Sequence, residues 1–341
     1  RQRQMCIRDR DYSGNFYSKF KMNCIPKISA LVITYKQEKL VRRAIDSLLQ
    51  QKDFLYEICV TDDCSPDNTW EVLQGYSKQY PGLFKLHRNE PNVGIFQNVE
   101  QSWTMPTGDL VYQLSGDDEC PGDWFKTVVD YINENQINYL DKRICIYGDI
   151  KCLYPNGDYF IRSNKMVTKP FELVSMHMRH LIGNRSACYS TAIMKKFFSV
   201  SKGRSYVAEW AQEIQLTLFT EKAYYINMVG NVYYTRIGVN IGFNKEILKE
   251  RADNFPYMAE CLEKAGYQLS TKDQHYIKLQ KLRYEQIANW SLTNFLKIQL
   301  LKHKVTDYRY GFFYLEFKSL KRKLFAVLRR LPHKNPITIT I

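Results

Sequence analysis

Long apolar runs are missing from this 341-residue chain. Uncharged apolar stretches such as Tyr224 to Thr235 reach 12 residues, well short of the ~20 that span a bilayer as a helix. No basic region, apolar run and small-residue cleavage site follow one another near the start, so the expectation is a protein made and kept in the cytoplasm. Zinc-type spacing is lacking as well. The nine cysteines form no CxxC or Cys/His pattern, and their odd number argues against a disulfide framework. Cys59 and Cys145 lie inside apolar, strand-like runs, where a free thiol behaves as a small hydrophobe. A reducing compartment fits this usage. Of the six histidines, His177 and His180 are three apart with no third ligand beside them. Repeats and Pro/Gly-rich tracts are also absent, which excludes solenoid and collagen-like architectures.

What is present is a globular composition, 45% hydrophobic and 25% charged. The length suits one large α/β domain with an extension, or two modest domains. The net charge of +14 is unevenly spread. Residues 1–21 carry +4 and residues 295–334 carry +9, leaving +1 for the body. The opening RQRQMCIRDR has no apolar periodicity and resembles translated sequencing-adapter sequence. The native protein is therefore expected to start near Met22, with 1–21 a non-native or disordered leader; a natural basic tail is the other reading.

From Lys27 onward the pattern is regular. ISALVIT (28–34) and EICVT (57–61) are short apolar runs rich in β-branched residues, as in strands covered on both faces. Between them Leu40, Ala44, Ile45 and Leu48 share one helical face. A helix through Trp70, Val72 and Leu73, a strand at 83–87, a helix at 94–103 and a strand at 110–114 follow. Alternating strands and helices with short loops predict an α/β fold, a mostly parallel Rossmann-like sheet with helices on both faces. Further strands are expected at 143–152 and 158–161, joined by the turn PNGD. Helices are expected at 172–180 and 209–219, a strand at 223–236, and helices beyond.

In such sheets ligands bind outside the carboxyl ends of the strands. Asp62 and Asp63 follow the second strand, and Asp117 and Asp118 follow the fourth. Two acid pairs at one edge would repel a nucleotide diphosphate unless a divalent cation lay between them. Mg²⁺ and Mn²⁺ take six oxygen ligands from one or two carboxylates, phosphates and water. A bare DD pair is weak evidence, since solvated loops and helix caps carry such pairs too.

Four segments occur in order: ALVITYKQEKLVRRAIDSLLQQ, YEICVTDDCSPDNTWEVL, NEPNVGIFQNVEQSW and TGDLVYQLSGDDEC. Together they resemble the nucleotide-binding half of family 2 glycosyltransferases over residues 28–125. The resemblance implies the GT-A fold and an inverting, metal-dependent transfer of a sugar from a nucleotide diphosphate, UDP by family frequency. It places Thr34 and Tyr35 against the nucleoside, Glu38 near base and ribose, and Asp63 at a uracil-type base with Asp62 as its structural or ribose-side neighbour. Asn92 and Gly94 match the segment that wraps the nucleoside. Asp117 and Asp118 match the metal motif, Asp118 as direct ligand of Mn²⁺ or Mg²⁺. Glu209, beside Trp210, matches the acid that begins a helix and takes the acceptor's proton; Glu213, one turn on, is the reserve. A glutamate favoured there by the helix dipole is the competing reading.

Departures exist. Ser115 stands where the common motif has an acid, as in a capsule and lipopolysaccharide subgroup that this chain resembles. No histidine follows Arg236, which is instead a candidate diphosphate contact. The implied domains are a glycosyltransferase domain at 22–242, with a donor half (28–125) and an acceptor half (126–242), and a helical basic extension at 243–341. The acceptor implied is a glycan or a lipid-linked hydroxyl. Basic and apolar residues interleave over 295–334, which suits the inner surface of an anionic membrane; a solvated or packed helix remains open. No nucleic-acid reader motif accompanies it, and nucleic acid is not expected. A nucleotidyltransferase would carry a Gly-rich loop where TYKQEK stands. A non-catalytic binding protein is the third reading.

Overall fold

The computed structural model describes residues 25–140, 142–163, 186–194, 214–235, 237, 245–264, 266–302 and 304–305. The helix expected at 172–180, the base candidates Glu209 and Glu213, Arg236 and the tail from 306 onward lie outside these residues.

Strand β1 (Ile28–Thr34) is buried at every position, and β2 (Leu55–Asp62) at all but one. Both pair in parallel with their neighbours, β1 with β2 and with β4 (Leu110–Ser115), and β2 with β3 (Phe84–Arg88). Alternate residues serve opposite layers, as a period of two requires. Ala30, Val32, Ile58 and Val60 face one core with helices α1 (Val41–Leu49), α2 (Thr69–Gln79) and α4 (Trp124–Glu134). Leu31, Ile33 and Cys59 face the other, with α3 (Ile95–Ser102). The near-continuous apolar strands are thus explained by helices on both faces.

Beyond β4 the sheet becomes mixed. β5 (Ile144–Leu153) and β6 (Tyr159–Arg162) form the expected hairpin, and β7 (Cys188–Ser190) joins β4 to β5 antiparallel to both. A single helical turn, α5 (Thr191–Met194), follows. β8 (Lys222–Tyr234) runs parallel to β5, completing eight strands. Trp124 of α4 is fully buried, and Tyr112 meets Phe125 edge-on at 5.1 Å.

Among the described residues three further helices follow, α6 (Lys245–Lys264), α7 (Thr271–Ala288) and α8 (Leu292–Lys302). They share a third core with Ile214, which opens a helical stretch at 214–218. Ser270 and Asp273 start α7 with a reciprocal capping box.

At the amino end of the sheet Glu57 binds four elements together. Its carboxylate accepts from Ser29 Oγ (2.7 Å) and the Thr107 amide (2.6 Å), and pairs with Lys85 Nζ at 2.6 Å. Burial pushes its pKa up, but Lys85, Thr107 and Ser29 outweigh burial and hold it below the ordinary value. Glu57→Gln is expected to cost about 1–3 kcal/mol at neutral pH. Because the folded pKa is the lower one, this stabilisation is present above the ordinary carboxylate range and fades as pH falls through the folded value. Urea unfolding should therefore show the gap between variant and wild type narrowing at acid pH.

Candidate active site

Register decides what meets at the carboxyl edge. Thr34 is level with Asp62, and Ile33 with Ser115, so the three loops after β1, β2 and β4 emerge side by side. Their contact is close. A Cβ built on Gly116 would lie 2.3 Å from Gln37 Oε1 and 3.1 Å from Thr34 Cβ, so any larger residue would have to displace the Gln37 side chain and crowd Thr34. Thr34 Oγ1 donates to the same Gln37 oxygen at 2.8 Å. Gln37 thereby lies between Thr34 and the acid loop at Gly116, a position that spacing along the chain does not mark.

The β1 and β2 loops are stitched by backbone donors. The amides of Lys36, Gln37 and Glu38 donate to Ser65 Oγ (2.8 Å), Thr69 Oγ1 (2.9 Å) and Asp67 Oδ2 (3.2 Å). Asn68 Nδ2 donates to Glu38 Oε1 at 3.2 Å. Tyr35, by contrast, is 40% exposed at the rim.

The two acids after β2 have different work. Asp62 is fully buried and accepts from the Ser65 amide (3.0 Å) and from Ser65 Oγ, with Arg88 Nε at 3.5 Å. Burial is the largest influence on its pKa, which is raised despite Ser65 and Arg88. Asp62 holds its own turn. Asp63 reaches across to the segment before α3 instead. Its carboxylate accepts from Asn89 Nδ2 (3.0 Å) and from the amides of Val93 and Gly94 (2.9 Å each). Asn92 Nδ2 returns a bond to the Asp63 carbonyl at 2.7 Å. Gly94, at φ +86°, adopts backbone that L-residues rarely tolerate, which is what lets consecutive amides converge on one carboxylate.

The acid loop after β4 is fixed from two sides. Asp118 is buried, its Oδ1 accepting from the Tyr234 amide at 3.1 Å. Glu119 exchanges both backbone bonds with Val232 of β8, at 3.1 and 2.9 Å. Tyr234 Oη donates to Glu119 Oε1 at 2.8 Å, and the Arg43 guanidinium stacks on the Tyr234 ring at 3.5 Å. Burial first, then the bond to Glu119, pushes the Tyr234 hydroxyl up to about 12, so it acts as a neutral donor at ordinary pH.

Among the described residues no cluster of three or more His, Cys, Asp or Glu side chains forms a metal cage. Asp117 and Asp118 nonetheless offer hard oxygen donors of the kind Mg²⁺ and Mn²⁺ take when phosphates and water complete the shell. The donor set fits such an ion with a substrate diphosphate supplying the remaining ligands.

Thr34, Asp62, Asp63, Asn92, Gly94, Asp117 and Asp118 thus share one edge, with Tyr35 and Glu38 in the adjoining loop. Glu209, Glu213 and Arg236 are outside the described residues. Ile214, which follows Glu213, and Thr235, which precedes Arg236, are within them. Ile95, next to Gly94, packs against the cores holding Ile214 and Leu216, and Arg236 follows Tyr234 by two positions.

Residues 29–196 match the sequence model described as glycosyl transferase family 2. The chain carries a family 2 glycosyltransferase domain. A glycosyltransferase of Mycoplasma genitalium is 25% identical over 256 residues, 65% of this chain and 85% of the relative. The dolichol-phosphate mannosyltransferase of Pyrococcus furiosus is 33% identical over 110 residues, 31% of this chain and 30% of the relative. The chain spans only 37% of the length of its mycobacterial relatives. Among solved structures, TarS of S. aureus superposes with a TM-score of 0.55 at 18% identity, covering 79% of this chain and 44% of TarS. The shared fold is GT-A.

Proposed function

We propose that this family 2 domain is an inverting glycosyltransferase, moving a sugar from a nucleotide diphosphate, UDP in the first instance, to a hydroxyl of a glycan or lipid-linked acceptor in cell-surface polysaccharide synthesis. The observation that carries it is the convergence of Thr34, Asp63 with its Asn92–Gly94 segment, and Asp117–Asp118 on one sheet edge. Thr34, Tyr35, Glu38 and the 92–94 segment bind the nucleoside. Mn²⁺ or Mg²⁺ held by Asp118 and Asp117 offsets the charge of the leaving diphosphate. Arg236 reaches the diphosphate, and Glu209 takes the acceptor's proton, with Glu213 in reserve. A thermal-shift panel of UDP-, GDP- and dTDP-sugars with and without Mn²⁺ tests the reading. One nucleotide sugar should raise the midpoint in a Mn²⁺-dependent way; no shift from any would count against it.

Asp63→Ala strips the acceptor from the Val93 and Gly94 amides, each left unpaired at a cost of about 1–3 kcal/mol, while Asn89 keeps its bond to Asn98. The 92–94 segment loosens, and donor affinity in calorimetry should fall with it. Equal binding by variant and wild type would remove Asp63 from the donor site.

We place the enzyme on the inner face of the cytoplasmic membrane. Support comes from α8, where Leu292, Leu296 and Leu300 recur every fourth residue and are exposed beside Trp290 and Phe295, with Lys297 and Lys302 on the same helix. The +9 segment 295–334 begins on that helix, and basic residues near an anionic surface contribute about 1 kcal/mol each. Among the described residues no helix is long and apolar enough to cross a membrane.

A further inference from the structure

Arg43 is given no role in the nucleotide reading, yet it meets the acid loop at Asp117 and Glu119 and covers Tyr234 beside it. It projects from α1, and its Nη2 donates to the carbonyl of Asp117. Its Nε lies 3.4 Å from Glu119 Oε1, an ion-pair distance without hydrogen-bond geometry. Its flat face covers Tyr234 at 3.5 Å. Tyr234 in turn donates its amide to Asp118 and its hydroxyl to Glu119. One guanidinium therefore joins three elements that come from distant parts of the chain: α1, the Asp117–Glu119 loop and the end of β8.

We propose that Arg43 is a positioning residue for the Asp117–Asp118 pair, clamping the loop against β8 so that both carboxylates are held ready for a divalent cation. Two adjacent carboxylates repel one another, and a loop free to turn would separate them. The clamp opposes that at two points, through the Asp117 carbonyl on one side of the pair and through Glu119 on the other. Only a planar fork can stack on a ring while reaching a carbonyl and a carboxylate together; an ammonium group cannot. The arrangement also ties the loop to the end of β8.

The proposal rests on the reading of Asp117 and Asp118 as metal ligands. Mn²⁺ binding by the full chain in saturating UDP, followed by the loss of the free-ion electron paramagnetic resonance signal, tests it. Groups that orient metal ligands typically govern affinity by roughly 10–100-fold, and Arg43→Met should raise the Mn²⁺ dissociation constant by that factor. UDP binding in EDTA and the thermal midpoint should stay close to wild type, which a merely structural role would not allow. Arg43→Lys should remain defective. Mn²⁺ affinity equal to wild type in either variant overturns the clamp; should the methionine variant fail to fold, the lysine variant decides. If wild type itself binds no Mn²⁺ with UDP, GDP or dTDP, the metal reading falls and takes the clamp with it.

Discussion

Asp118→Asn should abolish glycosyl transfer. A metal ion contributes several kcal/mol to a transition state that develops charge on the leaving group. At 1.36 kcal/mol per tenfold, losing that contribution lowers kcat by roughly a thousandfold or more. The substitution keeps the shape of the side chain, and an asparagine Oδ1 can still accept from the Tyr234 amide, so folding should survive. What is lost is a negative oxygen. Calorimetry should show that nucleotide binding in EDTA is retained while its Mn²⁺-dependent part disappears. Unchanged turnover in the variant, or full turnover by wild type in excess EDTA, would end the metal assignment.

Glu209→Gln should separate binding from chemistry. An inverting transfer needs a base for the attacking hydroxyl, worth about 10²–10⁴-fold. Glutamine keeps the size and loses the basicity, so kcat should fall at least about a hundredfold with donor binding intact. Glu213→Gln is the control, since it is the second acid of the same segment, four positions on. Ile95 at the start of α3 packs against the cores that hold Ile214 and Leu216 of the helical stretch 214–218. If Glu213→Gln shows the signature and Glu209→Gln does not, the roles exchange.

Much of the donor half was legible because its strands are buried on both faces. ISALVIT and EICVT contain no charged residue beyond Glu57, and only a doubly covered sheet accounts for such runs. The carboxyl ends of the second and fourth strands then located the two acid pairs. Other features were legible but passed over: Trp124, Phe125, Val128, Val129 and Ile132 of α4 follow helical spacing, yet the expectation ran from Leu114 straight to Arg143. Strand β7 is three residues long, too short for any periodicity to mark it. Asp63 had a role from family resemblance, but its bonds to Val93 and Gly94 depend on a turn geometry that spacing does not encode. Arg43, Gln37 and Tyr234 carried no signal at all. Each acts through a partner remote in sequence, Arg43 and Asp117 being 74 positions apart, and one chain without its fold gives no reason to join them.

The most direct test is release of nucleoside diphosphate by the full chain from UDP-, GDP- and dTDP-sugars, measured without acceptor. The account predicts release from one of these donors in Mn²⁺, loss of release in EDTA, and none from Asp118→Asn. Release from no donor at any Mn²⁺ concentration, or release undiminished by EDTA, would contradict it.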